Sequence, residues 1–102
     1  MFDMDEMNFQ AVLGDLRARL DTLDARLVLL LKERAAVIHQ VIQRKRASGL
    51  GPVDLHREEE MLAHIAAQAE SVGLDPRIAT RILRAIIVVF TELEAEALDS
   101  GA

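Results

Sequence analysis

Basic side chains interrupt an apolar helical stripe in the first half of the chain. Apolar residues recur at alternating spacings of three and four, at positions 13, 16, 20, 23, 27, 30, 37 and 41, but position 34 of this row is Arg34. Lys45 follows eleven residues later, a rotation of only about 20° around an α-helix. Ile38 and Val41 lie between them on the same face. Two cations therefore flank an aliphatic patch on the side of the helix that we expect to be buried.

Two further arginines extend this group of cations. Arg17 lies beside the leucines of the stripe, 17 residues before Arg34, which is roughly 25 Å along a helix axis. One small ligand cannot touch both from a single straight helix, but it can if two copies of the helix pair antiparallel. Arg57, followed by Glu58, lies near the start of a second predicted helix.

An inward-facing group of Arg17, Arg34, Lys45 and Arg57 suits a small polyanion, above all a dicarboxylate, because arginine binds a carboxylate through two parallel hydrogen bonds. The chain has no Cys, no P-loop, GxGxxG or HExxH motif, and no pair of histidines three or four residues apart. We therefore expect no metal and no cofactor, and chemistry that depends on positioning and charge. The alternative is that these cations reach solvent or pair with acids, and that Asp54 only caps a helix.

The composition excludes several classes of protein. The chain has 102 residues, a formal net charge of −5, 51% hydrophobic residues, three Phe, and no Trp, Tyr or Cys. Disulfide scaffolds and thiolate metal sites are excluded, and an acidic chain with few aromatic residues is a poor candidate for nucleic-acid binding. The first residues are acidic, unlike a secretory signal, and the longest apolar run, 85–90, is too short to span a membrane. We expect a cytoplasmic protein.

The patterning predicts three helices and no strands. The first covers about residues 11–48 and ends at a loop with the sequence GLGP. The second begins near Asp54 and ends at Gly73, and the third opens at Asp75-Pro76, with Asp as N-cap and Pro in the first helical position. We expect one helical domain at 11–98, a flexible acidic N-terminus at 1–10 and a flexible C-terminus at 99–102.

The first predicted helix is too long for the other two to cover. It is far longer than the average helix of a globular protein. Heptad-like spacing sustained over about four heptads is typical of a helix that packs along a second long helix. We therefore expect a homodimer in which the long helices are shared.

Three segments carry a family resemblance: LRARLDTLDARLVLLLKERAAVIHQVIQRK, GPVDLHREEEML and GLDPRIATRILRAII. Together, over about residues 13–94, they resemble the all-helical chorismate mutases. The resemblance implies an all-α fold of three helices per chain, intertwined as a homodimer whose long first helices pair. It also implies two active sites, each of which takes one arginine from the partner chain.

The resemblance assigns roles by position. Arg17 is similar to the arginine that binds a substrate carboxylate in the partner's site, and Arg34 to the arginine that binds the other carboxylate. Lys45 resembles the lysine that donates to the ether oxygen of the breaking C–O bond. Asp54 and the Arg57-Glu58 pair match the positions expected around the ring hydroxyl. Val41 and Ile87 resemble the apolar walls of the site.

Two positions depart from the commonest pattern of the family. Phe90 stands where many members have a serine near a carboxylate, and Glu94 stands where many have a glutamine that donates to the ether oxygen. Phe90 narrows the expected pocket, although as a continuation of the third helix's stripe it also fits a core aromatic. Glu94 can donate a hydrogen bond only when protonated.

The implied reaction is the rearrangement of chorismate to prephenate. Two alternatives share the fold: removal of pyruvate from isochorismate, which the acids Asp54 and Glu58 disfavour, and a mutase acting on 4-amino-4-deoxychorismate. A third alternative from another class is a non-catalytic helical dimer.

Overall fold

The described part of the chain is built from helices alone. The computed structural model describes residues 3–49 and 55–99, and for residues 55 and 56 it describes the backbone only. Within these ranges the elements are α1 (Met4–Ser48), α2 (Leu55–Ser71) and α3 (Pro76–Asp99), and no strand is present. The predicted all-α, three-helix architecture is confirmed.

Helix α1 begins at Met4, seven residues before the predicted start at residue 11. Its first turn is capped by Asp3: the backbone N–H of Asp5 donates to Asp3 Oδ1 at 3.2 Å, and the N–H of Met7 donates to the Asp3 carbonyl at 3.0 Å. Acidic side chains at Asp5 and Glu6 favour the positive end of the helix dipole. Residues 4–10 are therefore helical, while the flexibility expected for the chain ends stays a prediction.

Glycine and aspartate end and restart the helices where the sequence predicts. Gly49 follows α1 with φ = 71°, and Gly73 follows α2 with φ = 77°, a backbone region in which side chains are strained. Asp75 caps α3, since its Oδ1 accepts the backbone N–H of Arg77 at 2.9 Å and Pro76 is the first helical residue. The predicted cap at Asp54 lies outside the described residues.

The chain divides into two compact units, Met1–Ala36 and Val37–Ala102. The second unit holds the interior: Ile42 of α1, Ala69 of α2, and Ala79 and Ile87 of α3 are buried. Within this unit the Arg46 guanidinium also donates to the backbone carbonyl of Ala97. The C-terminal end of α1 thus makes a polar contact with α3.

The first unit presents the predicted apolar stripe at its surface. In the single chain Leu20, Leu27 and Leu30 are 57%, 56% and 58% exposed, and Leu16 and Leu23 are close to half exposed. The spacing predicts a buried face, yet within one chain these side chains are open to solvent. The stripe is therefore available to another helix.

Candidate functional site

A buried charge pair joins α1 to α3 in the second unit. Lys45 Nζ lies 2.7 Å from Glu94 Oε1, and the two side chains are 19% and 7% exposed. Among the described residues no donor meets hydrogen-bond geometry at this buried oxygen, so the contact with Lys45 is one of charge. The structure thus brings together the lysine and the acid that the sequence predicts to share a site.

Helical spacing explains why these two charges lie inside the unit. Lys45 comes three residues after the buried Ile42, and Glu94 comes seven residues after the buried Ile87, so each charge continues a row of core side chains. The apolar residues carry both charged groups inward as the helices pack. Two charges brought out of water are tolerated because they meet each other.

The face of α1 that carries Lys45 also lines a cavity of about 340 Å³. Its described lining is Val37, Gln40, Val41, Arg44, Lys45 and Ser48. These positions recur at spacings of three and four and so form one side of the helix. Val41, which the resemblance suggests as an apolar wall, lies in this lining, and Lys45 belongs both to the cavity and to the charge pair. The lining of the cavity thus combines apolar side chains with two cations.

Sequence reasoning did not single out Arg44 or Gln40. The helical spacing contains a signal for both, since Arg44 lies three residues after Val41 and Gln40 lies four residues before Arg44, on the same side of the helix. Periodicity alone ranks such residues as surface positions, and only the cavity distinguishes them.

On α3 the expected wall residues differ in burial. Ile87 is buried among the core residues of the second unit, and Phe90 is half-buried, one turn before Glu94. The half-burial of Phe90 is compatible with a core aromatic, and its narrowing of the pocket stays a prediction. Contact of either residue with a ligand stays a prediction.

The remaining candidates belong neither to the Lys45–Glu94 pair nor to the described lining of the cavity. Arg57 is exposed and Glu58 half-buried in the first turn of α2, in the second unit, and Asp54 is outside the described residues. Arg17 and Arg34 belong to the first unit, where Arg17 is exposed and Arg34 is half-buried between exposed neighbours. The roles of these five residues stay predictions.

A second charge pair lies at the surface, away from these candidates in the sequence. Arg77 Nη2 lies 2.8 Å from Asp75 Oδ2 at the start of α3. Hydrogen bonds from Arg77 hold the pKa of Asp75 below its ordinary value, and Asp75 in turn raises the pKa of Arg77. Both groups are open to solvent, so the pair acts on the helix end.

The described residues contain neither a group that could hold a metal ion nor a helix that could cross a membrane. No three His, Asp or Glu side chains in residues 3–49 and 55–99 are grouped so that they could hold a metal ion. In the same ranges, no helix combines the length and apolar character needed to cross a membrane.

Comparison with known proteins gives one family and one relative. A family model described as chorismate mutase type II matches residues 16–95. The T-protein of Haemophilus influenzae is 33% identical over 78 residues, which cover 76% of this chain and 21% of that protein. The chain therefore spans about a fifth of the length of this curated relative. The range matched by the family model contains Arg17, Arg34, Lys45 and Glu94.

Proposed function

The chain belongs to the chorismate mutase type II family, and on that premise we propose that it converts chorismate to prephenate by an intramolecular Claisen rearrangement. The observation that carries the proposal is the Lys45–Glu94 pair beside a cavity whose lining combines apolar side chains with two cations. Such a cavity suits a small ring that bears carboxylates. The reaction breaks one C–O bond and forms one C–C bond within the same molecule, so no group leaves and no covalent intermediate is needed.

Positioning supplies the first part of the rate enhancement. Chorismate is a dianion, and its two reacting carbons meet only when the molecule is folded in its diaxial form. Holding that conformer removes much of the entropic cost of reaching the transition state. Arg34 of one chain and Arg17 of its partner are the groups that we propose to bind the two carboxylates, because a bidentate arginine fixes both direction and distance.

Charge at the ether oxygen supplies the second part. This oxygen gains negative charge as its bond to carbon lengthens, so a fixed cation there binds the transition state more tightly than the ground state. We propose Lys45 for this role, in agreement with the resemblance. Its low exposure and its contact with Glu94 support the proposal, since both restrict where the ammonium group can lie.

Glu94 acts on the same oxygen in this proposal. As a carboxylate it orients Lys45, and when protonated it also donates a hydrogen bond of its own. Around the ring hydroxyl we propose Asp54 and the Arg57-Glu58 pair, with Val41, Ile87 and Phe90 as apolar walls. The presence of Val41 in the cavity lining supports this arrangement.

The proposed active unit is a homodimer. Its support is the leucine stripe of the first unit, whose members from Leu16 to Leu30 are about half exposed in the single chain. A second copy offers the same stripe and so can cover it symmetrically. In such a dimer Arg17 is contributed to the partner's site. The cytoplasmic location and the absence of nucleic-acid partners stay predictions.

The decisive experiment follows chorismate by its ultraviolet absorbance and identifies the product. The chain has no Trp or Tyr, so its own absorbance near 280 nm is very low. Loss of chorismate with formation of prephenate supports the proposal. Formation of pyruvate from isochorismate, or turnover of 4-amino-4-deoxychorismate alone, identifies one of the related activities instead. A folded helical dimer that transforms none of the three substrates is a non-catalytic member of the family.

A further inference from the structure

The cavity that Lys45 lines also has a second cation in its lining, Arg44. Its described lining includes two cations, Arg44 and Lys45, together with the apolar side chains of Val37 and Val41. Of the two cations, Lys45 lies 2.7 Å from the buried carboxyl group of Glu94. When Glu94 is ionised, this pair has no net charge, and its attraction for a dianion is reduced accordingly. Arg44 is then the cation of the lining whose charge is not offset at contact distance.

Arg44 and Arg46 flank Lys45 in the sequence but make different contacts. The Arg46 guanidinium donates to the Ala97 carbonyl, and this contact fixes α1 to α3. Arg44 is exposed and lines the cavity, and within residues 3–49 and 55–99 no ion pair of its guanidinium is observed. An arginine held by another part of the protein has a structural task, whereas one that faces a cavity has its five N–H donors available to a ligand.

From these observations we infer that Arg44 is a substrate-binding residue, which contacts a carboxylate of the dianionic substrate in the Lys45 cavity. The inference rests on the proposed function for the identity of the substrate. Arg44 attracts the substrate and holds it in the ground state and in the transition state alike, because the carboxylates keep their charge throughout the rearrangement. Its loss is therefore expected to raise KM more than it lowers kcat.

Arg44→Ala, Arg44→Lys and a control, Arg84→Ala, test this inference in the full-length chain. Arg84 is exposed on α3 and outside the cavity lining, so its variant removes the same charge from elsewhere on the protein. We expect Arg44→Ala to raise KM for chorismate about tenfold or more with a smaller change in kcat, and Arg44→Lys to recover part of the loss. Arg84→Ala is expected to keep the KM of the unmodified protein. Circular dichroism of each variant verifies folding.

The outcomes separate this inference from the proposed function. If the unmodified protein forms prephenate and Arg44→Ala keeps its KM, the inference about Arg44 is overturned and the proposed function stands. If the unmodified protein does not turn over chorismate, calorimetric titration with chorismate decides: weaker binding by Arg44→Ala than by Arg84→Ala supports the inference, and equal binding overturns it. Absence of chorismate binding by the unmodified protein overturns both.

Discussion

The charge on Lys45 is stabilised by one neighbour in particular. Its side chain is 19% exposed, and the carboxyl group of Glu94 at 2.7 Å is 7% exposed. Removing one member of a pair this far from solvent leaves the other charge uncompensated, which costs about 3–5 kcal/mol in typical buried pairs. A substitution at either residue therefore changes both catalysis and stability, and experiments must measure the two separately.

Lys45→Ala is expected to lower kcat about 100- to 1000-fold, because it removes the cation proposed to stabilise the ether oxygen. Steady-state kinetics on chorismate measure the change. Lys45→Gln, which keeps a hydrogen-bond donor near Glu94 without the charge, separates loss of the cation from loss of folding. Lys32→Ala, at an exposed lysine of the same helix, is the control. Turnover near that of the unmodified protein in a folded Lys45 variant would exclude Lys45 from the role.

Glu94 gives a pH dependence that its amide analogue lacks. Activity of the unmodified protein is expected to rise toward acidic pH, because a protonated Glu94 donates to the ether oxygen and its carboxylate cannot. Glu94→Gln donates at every pH, and its profile is expected to be flatter. The comparison is made on kcat between about pH 5 and pH 8, near and above the ordinary range of a glutamate. Glu92→Gln, an exposed neighbour, is expected to keep the original profile, and a flat profile in the unmodified protein contradicts the idea.

At the residue scale the sequence predicts the Lys45–Glu94 charge pair better than it predicts the lining of the cavity. Lys45 and Glu94 emerge from the resemblance and meet in the structure, because each continues a row of core residues. Arg44 does not emerge, because a helical period gives the face on which a side chain lies but not the cavity that the face borders. The distances that would relate Arg17 to Arg34 depend on a second chain, and no pattern within one chain supplies them.

At the scale of elements, helix ends follow from local chemistry. The end of α2 just before Gly73 and the start of α3 at Pro76, after its cap Asp75, are predicted from residue types alone and confirmed. The start of α1 was predicted at residue 11 and lies at Met4. The prediction relied on apolar periodicity, which begins at Leu13, whereas the helix is extended by the cap at Asp3. A cap is a hydrogen bond between a polar side chain and a backbone N–H, so apolar periodicity does not reveal it.

Asp75 is expected to stabilise α3 in a pH-dependent way. Because Arg77 lowers the pKa of Asp75 in the folded chain, this carboxylate stabilises the fold fully above about pH 4, near the ordinary aspartate range. The contribution is lost as the pH falls through the lowered pKa. Thermal unfolding should therefore show a lower midpoint for Asp75→Ala at neutral pH and a smaller difference from the unmodified protein in acid. Asp99→Ala, exposed in the last turn of α3, should show no such convergence.

At the scale of the whole molecule, one chain leaves its longest apolar surface uncovered. The all-α fold was predicted from the sequence, since three helical segments and clear stop signals leave no room for strands. The all-α fold is a property of one chain, whereas the sharing of the leucine stripe is a proposed contact between two chains. Its test must therefore involve two chains.

Mixed subunits provide that test. Arg17→Ala and Arg34→Ala are each expected to be inactive, because every site loses one arginine. When the two are unfolded together and refolded, half of the dimers should be mixed, and each mixed dimer has one intact site. About a quarter of the original activity should then return. Refolding either variant alone is the control, and no recovery on mixing, with mixed dimers verified by mass spectrometry, contradicts the exchange of Arg17 between chains.

The half-exposed leucines of α1 also bear on what stability means for this protein. In the proposed dimer, burying them is part of folding, so the equilibrium links two unfolded chains to one folded pair. Each tenfold dilution then lowers the free energy of unfolding of that pair by about 1.4 kcal/mol. The thermal midpoint becomes a property of the solution as well as of the sequence, and a value measured at one protein concentration has no fixed meaning at another.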